Sequence, residues 1–316
     1  MISVIICSHN PRWDYFQRCL AALRAQTMPL RYWELLLIDN RSTIALADRV
    51  ELSWHPDTQV IREEVLGLTP ARLRAIRESK GDLLVFVDDD NVLDTDFLEV
   101  AKRIAEEHPF LASWSGQCHP EFEQPPPEWT RRYWGNIAIR QFDRDRWSNL
   151  PLLAETIPCG AGLCVRRNVA LRYLHLYESG ERRFQADRAG QALLSGGDND
   201  LAACACDLGF GLGLIASLKL THLIPSQRLT VEYMARLMDG IYFSSTVLNA
   251  ERGAQVTARG VLGRIVDFLR IMRLQAPHRQ ILRAAFRGRD RAIRQLLRGD
   301  YGSITEPPLD VVRSMN

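Results

Sequence analysis

Three consecutive carboxylates, Asp88, Asp89 and Asp90, directly follow the apolar run 83–87. An apolar run rich in Val and Phe is typical of a strand buried on both faces. Like charges crowded at the end of such a strand are unfavourable unless a cation or hydrogen-bond donors share them. Carboxylate oxygens suit Mg²⁺ or Mn²⁺, and these ions commonly bind phosphate oxygens. Residues 88–90, the acidic turn, therefore predict a divalent-metal site for a phosphorylated ligand.

The segments before the acidic turn alternate between strand and helix patterns. Such alternation predicts an α/β fold with a mostly parallel sheet flanked by helices. Ligands of these sheets bind beyond the carboxyl ends of the strands. Ser8, His9 and Asn10 follow the first strand and Asp39 follows the second, so we expect all four beside the acidic turn. The predicted strands are 2–7, 33–38, 58–62 and 83–87, and the predicted helices are 12–26, 43–52 and 69–79.

Aromatic residues gather in a less regular stretch between Pro120 and Pro158. Three prolines at 125–127 exclude a helix or a central strand there. The aromatic rings could offer flat faces to a sugar acceptor, or could hold the loop on the body of the protein. Both interpretations stay open from the sequence. The aromatic residues are Trp129, Tyr133, Trp134 and Trp147. The elements predicted before and after this stretch are a helix at 94–107, a strand at 161–166, a helix at 198–208, a strand at 212–218 and helices from about 229 onward.

The bulk composition is that of an ordinary globular protein. Of the 316 residues, 46% are apolar and 25% are charged, which is enough to bury a proper core. No stretch approaches the ~18 uncharged apolar residues of a membrane span. The chain enters its first strand directly, so we expect a cytoplasmic protein. Its seven cysteines lack the spacing of a disulfide framework or a zinc site and are expected to be reduced.

The C-terminal part is strongly basic. Between Arg259 and Arg298 eleven arginines face only two aspartates, and apolar residues recur there at helical spacing. A basic amphipathic helix can lie on an anionic membrane. The number of apolar positions favours instead a helical bundle or a dimer contact, in which protein covers them. No recognition motif supports binding to nucleic acid.

Five short segments follow one another in the order found in a known enzyme family. They are Ser-Val-Ile-Ile-Cys-Ser-His-Asn at 3–10, Glu-Leu-Leu-Leu-Ile-Asp-Asn-Arg-Ser-Thr at 34–43, the stretch 67–91 with the acidic turn, Gly-Ala-Gly at 160–162 with Arg166 and Arg167, and Gly-Gly-Asp-Asn-Asp-Leu at 196–201. Together they resemble the family 2 glycosyltransferases, inverting enzymes with the GT-A fold and a D-x-D motif, over roughly residues 2–225. The chain departs from the family pattern at Cys7-Ser8 (usually Pro-Thr), Leu73 (usually Asn) and Gly197 (often Glu).

The resemblance implies metal-dependent transfer of a sugar from a nucleotide-diphosphate sugar to an acceptor hydroxyl. It assigns Asp39 to the nucleotide base, Asp88 to the ribose, and Asp90 to a Mn²⁺ or Mg²⁺ ion that bridges the two phosphates. A leaving group bound to metal needs no proton to depart. The resemblance assigns Asp198 to the catalytic base, with Asp200 as the alternative. It also implies that Ser8, His9, Asn10, Arg72 and Asp89 belong to the nucleotide-sugar site and that His222 completes the metal shell.

Each of these residues also has a structural interpretation. Asp39 and Asp198 could cap the helices that follow them, although Ser42 could cap in place of Asp39. A lone histidine such as His222 is often a structural residue, and Arg72 could be a solvated helix arginine.

The expected domains are a glycosyltransferase domain at 1–225, with a nucleotide-binding half (1–118) and an acceptor half (119–225), and a basic helical region at 226–316. The family resemblance favours a UDP-sugar donor and a glycan or lipid-linked acceptor in polysaccharide or glycan biosynthesis. Peripheral contact with the inner face of a membrane is an open possibility. The alternatives are a haloacid-dehalogenase-like phosphatase, since Asp88 to Val92 matches its nucleophile loop, and a non-catalytic carbohydrate-binding relic of the fold.

Overall fold

The computed structural model of the protein describes residues 1–188 and 193–299. The chain divides into two compact units. The first unit comprises Met1–Glu181 and Gly197–Thr230. The second unit comprises Arg182–Gly196 and the chain from Val231 onward, so residues 182–196, predicted with the first domain, group with the C-terminal helices. The last predicted residues, 300–316, lie outside the described part of the chain.

The first half of the first unit is a parallel sheet with helices on both faces. Its strands pair in the order β3-β2-β1-β4, with all neighbours parallel. Successive residues of one strand enter two different cores: Val4 packs with α1, whereas Ile5 packs with α2. Both faces are therefore buried, as the continuous apolar runs predict. The elements are β1 (Ile2–Ser8), α1 (Trp13–Arg24), β2 (Trp33–Asn40), β3 (Thr58–Glu63), α2 (Leu68–Glu78) and β4 (Leu83–Val87).

The second half of the first unit extends this sheet with mixed strand directions. The sheet continues from β4 as β8-β6-β9-β5, and β7 pairs with β9. β8 is antiparallel to both β4 and β6, whereas β6 and β9 are parallel. The predicted α/β class with flanking helices is confirmed, but the sheet is mixed rather than mostly parallel, since β4–β8, β6–β8, β5–β9 and β7–β9 pair antiparallel. The elements are β5 (Asn91–Leu93), α3 (Phe97–Glu107), β6 (Leu111–Phe122), β7 (Arg146–Ser148), β8 (Leu163–Arg166), α4 (Arg167–Glu178), α5 (Gly197–Asp207) and β9 (Gly211–Ile224).

Three predictions of local structure were wrong or incomplete. The helix expected at 43–52 is only a single 3-10 turn, Leu46–Asp48, because Leu46 is buried but Ile44 is exposed and no apolar face forms. The strand β6 begins at Leu111, before the stretch interpreted as irregular, and was not predicted. Helix α4 was not predicted either. The strand expected to end at 218 runs to Ile224, so His222 lies inside β9.

The second unit is helical, as predicted for the chain from about 229. Its helices are α6 (Val231–Glu251), α7 (Val261–Met272) and α8 (His278–Arg298). α6 and α8 pack closely, since a Cβ at Gly288 would clash with the carbonyl oxygen of Asp239. Phe184 and Leu194 join Phe243 of α6 in a small core.

Two general expectations concern the cysteines and membrane spans. All seven cysteines lie in described ranges, no disulfide joins any of them, and five are buried. None of the helices among residues 1–188 and 193–299 is long and apolar enough to cross a membrane.

Candidate active site

The carboxyl ends of β1, β2 and β4 bring the predicted polar residues to one edge of the sheet. Ser8 is in register with Asp39 on the neighbouring strand, because β1 and β2 are parallel. On the other side of β1, the Ser8 hydroxyl donates a hydrogen bond of 2.5 Å to Asp89 Oδ2. Ser8 therefore lies between the turn after β2 and the acidic turn after β4, as expected from the order of the strands.

Asp39 is almost fully buried, and three donors reach its carboxylate. Oδ1 accepts the N–H of Ser42 at 2.8 Å, and Oδ2 accepts the N–H of Leu46 at 3.1 Å. Arg62 of β3 adds an ion pair at 2.9 Å. Burial alone would raise the pKa of Asp39, but these donors outweigh it and lower the pKa below its ordinary value. The expectation that Ser42 would cap in place of Asp39 is wrong, because Asp39 itself caps the turn.

The turn after β1 is built around His9 and Asn10, both of which are exposed. Asn10 takes up a left-handed conformation, with φ of 49°. Its N–H donates to the hydroxyl oxygen of Ser42, and its Oδ1 accepts the N–H of Thr43. His9 Nδ1 lies 2.7 Å from the carbonyl oxygen of Asn40. Because a carbonyl oxygen only accepts, Nδ1 carries the proton, and the amide of Asn10 donates to Nε2.

The acidic turn separates its three side chains. The N–H of Asn91 donates to the carbonyl oxygen of Asp88 at 3.0 Å, which closes a tight turn between β4 and β5. Asp89 reaches Ser8, whereas Asp90 is turned toward β9. Burial and the neighbouring Asp90 raise the pKa of Asp89 to about 7, although the hydrogen bond from Ser8 opposes the rise. Asp88 and Asp89 are half-buried and Asp90 is buried.

The structure brings Asp90 and His222, the two predicted metal ligands, together. β5 pairs with β9 so that Asn91 lies opposite His222, and the N–H of Leu223 donates to the Asp90 carbonyl oxygen at 2.9 Å. His222 Nε2 lies 3.4 Å from Asp90 Oδ2. The family resemblance assigned both residues to one metal. The pairing of β5 with β9 that brings them together was not predicted, because it depends on β9 continuing to Ile224.

Arg228 completes this cluster, and sequence reasoning missed it. Its Nη2 lies 2.8 Å from Asp90 Oδ2, and its Nη1 lies 3.2 Å from His222 Nε2. Arg228 belongs to the 3-10 turn Ser226–Leu229, which Glu123, directly after β6, holds by accepting the N–H of Ser226. The one available signal was a basic residue six positions after His222, beyond the proline that ends β9.

The donor set at Asp90 is compatible with a divalent cation. Among the residues that the structure describes, no group of three or more His, Cys, Asp or Glu side chains is arranged to hold a metal. Mg²⁺-type ions, however, are commonly held by one or two protein ligands together with substrate phosphates. His222 Nδ1 is buried and lacks a hydrogen-bond partner within the described residues, so this ring is not fixed by a second contact. One carboxylate and one imidazole thus fit an ion that takes its other ligands from a diphosphate.

Asp198 lies in the first turn of α5 and contacts the loop before β8. Its Oδ2 accepts the N–H of Gly160 at 2.6 Å. A Cβ on Gly160 would lie 3.2 Å from Asp198 Oδ2 and 3.2 Å from Arg72 Nη2, so both charged groups converge on this glycine. Arg72 is buried, which rules out the solvated-arginine interpretation. Asp198 is half-buried, whereas the alternative base Asp200 is fully buried.

A pair of buried thiols connects Asp198 with the acidic turn. The pKa of Cys118 is raised, mainly by its hydrogen bond with Cys159 and by burial, and Asp88 contributes to the rise. The same hydrogen bond lowers the pKa of Cys159, and Asp198 acts in the opposite direction. Each of these two carboxylates therefore acts electrostatically on one thiol of the pair.

The aromatic segment divides into two parts. Tyr133 is buried and Trp134 packs on Phe122, with ring centroids 5.3 Å apart, so these rings hold the loop on the sheet. Trp147 is 57% exposed and packs on Phe110. Phe110 precedes β6, which runs parallel to β4, so this aromatic pair lies at the sheet edge opposite to the acidic turn. Trp147 is thus not placed to face a sugar at that turn.

Comparison with known proteins identifies relatives of the first unit. The family model described as Glycosyl transferase family 2 matches residues 3–166, just over half of the chain. "Glycosyltransferase AglE" of Haloferax volcanii is 34% identical over 92 residues, which is 28% of this chain. "Putative glycosyltransferase EpsH" of Bacillus subtilis is 29% identical over 106 residues, or 33% of this chain. The matched segments span 30% of the length of each relative.

Solved structures share the fold over nearly the whole chain. The crystal structure of TarS 1–349 from S. aureus has a TM-score of 0.51 at 15% identity and covers 94% of this chain and 91% of its own. The structure of the same protein in complex with UDP-GlcNAc has a TM-score of 0.50 at 14% identity, covering 94% and 92%. At this level of identity the likeness establishes a GT-A-like α/β fold with a helical C-terminal region.

Proposed function

Because the chain belongs to glycosyl transferase family 2, we propose that it transfers a sugar from a nucleotide-diphosphate sugar to an acceptor hydroxyl, with a divalent metal and with inversion. The observation that supports this proposal most is the pairing of Asp90 with His222 at 3.4 Å, directly beyond β4. Membership of this family favours glycosyl transfer over the phosphatase alternative.

The turns after β1 and β2 are proposed to hold the nucleotide. Ser8, His9, Asn10 and Asp39 lie at the edge where nucleotides bind in open α/β sheets. Asp39 keeps its negative charge at neutral pH because its pKa is lowered, so it can accept a hydrogen bond from a base N–H. We favour a UDP-sugar donor, and the solved complex of TarS with UDP-GlcNAc supports that choice by analogy.

Asp90 and His222 are the proposed ligands of Mn²⁺ or Mg²⁺. The ion would neutralise the departing diphosphate, so that no proton has to be supplied to it. Asp88 would contact the ribose, and Asp89 is held through Ser8 at the inner side of the same turn. Arg228 Nη2 lies 2.8 Å from Asp90 Oδ2, and its guanidinium would add a second positive charge beside the diphosphate.

Asp198 is the proposed catalytic base. It would take the proton of the acceptor hydroxyl as the hydroxyl oxygen attacks the anomeric carbon on the face opposite to the leaving group, which inverts that carbon. The N–H of Gly160 fixes one oxygen of the carboxylate, and Arg72 lies near the same glycine. Because Asp198 is half-buried, a substrate can reach it, whereas Asp200 is fully enclosed.

The acceptor is proposed to be a glycan or a lipid-linked glycan, used on the cytoplasmic side in polysaccharide or glycan synthesis. A thermal-shift screen of UDP, GDP and dTDP, each with and without Mn²⁺, tests the donor half of the proposal. A ligand that binds the folded state raises the melting temperature by mass action. Candidate donors are then assayed for Mn²⁺-dependent release of the nucleotide. Binding without release would identify a relic of the fold, and stabilisation by none of the nucleotides would reject the proposal.

A further inference from the structure

Helix α7 has its polar and apolar sides reversed relative to an ordinary helix of a globular protein. Within this helix, which the structure describes in full, the only buried residue is Asp267. Its carboxylate accepts Arg289 of α8 at 2.8 Å and Arg259 at 3.1 Å. The side toward α8 is thus fixed by ion pairs rather than by apolar packing.

The opposite side of α7 is a continuous apolar surface, which we call the outer face of α7. At about 100° per residue, its side chains span an arc of about 160° centred opposite Asp267. They are between 45% and 79% exposed, whereas no other described helix carries more than one large exposed apolar residue. The outer face consists of Val261, Leu262, Ile265, Val266, Phe268, Leu269 and Met272.

Arginines border the outer face of α7 on both sides. Arg264 lies about 40° beyond one edge of the apolar arc and Arg270 about 40° beyond the other, with Arg273 close to the second edge. All three are exposed. Within the described residues no carboxylate lies at ion-pair distance from any of them. The helix therefore presents one apolar strip with positive charge on both sides of it.

We propose that the outer face of α7 docks the protein on an anionic lipid surface, with the helix lying in the plane of the headgroups. An in-plane helix buries its apolar side at the acyl boundary and places its arginines among lipid phosphates. α8 differs from α7, since its apolar residues Ile281, Ala285 and Ala292 are buried in the second unit. The sequence favoured protein cover for the apolar residues of this region. Among the described residues such cover is present for α8 and absent for α7.

Charge argues for lipid over a second copy of the chain as the occupant. Two outer faces packed together would bring arginine rows against each other, and the only carboxylate of α7, Asp267, points away from such a contact. Lipid phosphates supply the complementary charge. This inference does not depend on the proposed glycosyl transfer.

The test is co-sedimentation of the full chain with vesicles of phosphatidylcholine, alone or with phosphatidylglycerol. We expect pelleting with the anionic vesicles and its loss at high salt. The double variant Leu262→Glu/Phe268→Glu should bind at least ~10-fold more weakly. Arg264→Gln and Arg270→Gln should each weaken binding by about 5-fold. The matched control Leu171→Glu/Leu208→Glu, at exposed positions of the first unit, should bind as the wild type does.

Folding and oligomeric state are checked on the same samples. The Leu262/Phe268 variant should keep the wild-type melting temperature, because both side chains are exposed. A clear fall in that temperature would show that the chain itself covers the outer face, and it would overturn the proposal. A wild-type dimer that becomes a monomer in the variant would assign the face to a second copy. Equal pelleting of the wild type and the variant would also overturn the proposal.

Discussion

The acidic turn and helix α7 depart from the ordinary distribution of polar and apolar groups in opposite ways. The acidic turn gathers carboxylates at the buried end of β4, and α7 turns its apolar residues outward while burying Asp267. In both regions arginines compensate the buried carboxylate: Arg228 at Asp90, and Arg289 at Asp267. The two ion pairs differ in what surrounds them.

Asp90 and Asp267 are almost equally buried, 7% and 6% exposed, but Asp90 lies beside a histidine and two further carboxylates, whereas Asp267 lies on the packed side of a helix. His222 Nε2 lies beside Asp90 and Arg228, and its Nδ1 is buried without a hydrogen-bond partner in the described residues, so the ring keeps one unused nitrogen. Asp267 forms ion pairs with two arginines, one at each carboxylate oxygen, so we interpret it as a structural contact. A buried carboxylate therefore indicates a ligand site only where its neighbours still have unused donors or acceptors.

The largest effect is expected from Asp198→Asn, which removes the proposed base but keeps the shape of the side chain. Transfer should fall by about 10²- to 10⁴-fold, the usual contribution of general base catalysis. Nucleotide binding in the presence of Mn²⁺ should stay near the wild-type value. Asp207→Asn, at the exposed C-terminal end of the same helix, is the matched control. Near-normal turnover of Asp198→Asn would move the base elsewhere.

A smaller effect is expected from Arg228→Gln. The guanidinium competes with a cation for Asp90 Oδ2, so its removal should tighten binding of Mn²⁺ alone by about tenfold. Isothermal titration of Mn²⁺ in the absence of nucleotide measures this. Arg18→Gln, which breaks an exposed ion pair with Glu121, is the control and should leave Mn²⁺ affinity unchanged. Weaker Mn²⁺ binding by Arg228→Gln would mean that Arg228 supports the site rather than competing for it.

A third effect, on stability rather than on binding or turnover, is expected at the ion pair of Asp39 with Arg62. Asp39→Asn should lower the free energy of unfolding by about 1–3 kcal/mol at pH 7, because buried donors lose a charged acceptor. The folded-state pKa of Asp39 is lowered, so its contribution is present above the unfolded value, near 4, and is lost as the pH falls through the folded value. Urea unfolding of both proteins at pH 7 and below pH 4 should show the difference shrinking with acid. A constant difference would contradict this explanation.

Much of the first half of the chain was readable because its signals are local. Continuous apolar runs predicted β1, β2 and β4 nearly to the residue, and the parallel order brought Ser8, Asp39 and the acidic turn to one edge. The helix expected at 43–52 failed because helix-forming residues alone do not suffice without a face to bury.

The second half was less readable because its signals depend on long-range pairing. The bulged contacts of β6 with β9 and the antiparallel β8 follow from no local pattern. The contact of Arg228 with Asp90 joins residues 138 positions apart and depends on the pairing of β5 with β9, so no spacing rule could predict it. The reversed face of α7 was equally hidden, since apolar periodicity indicates a face but not which side it turns to.

The most direct test of the account is isothermal titration of UDP, GDP and dTDP into the wild type, Asp90→Asn and His222→Gln, with Mn²⁺ or with EDTA. We predict that at least one nucleotide binds the wild type with Mn²⁺, that EDTA weakens this binding by about 100-fold or more, and that both variants resemble the wild type in EDTA. If both variants bound that nucleotide as tightly as the wild type in Mn²⁺, the cation site at the end of β4 would be contradicted.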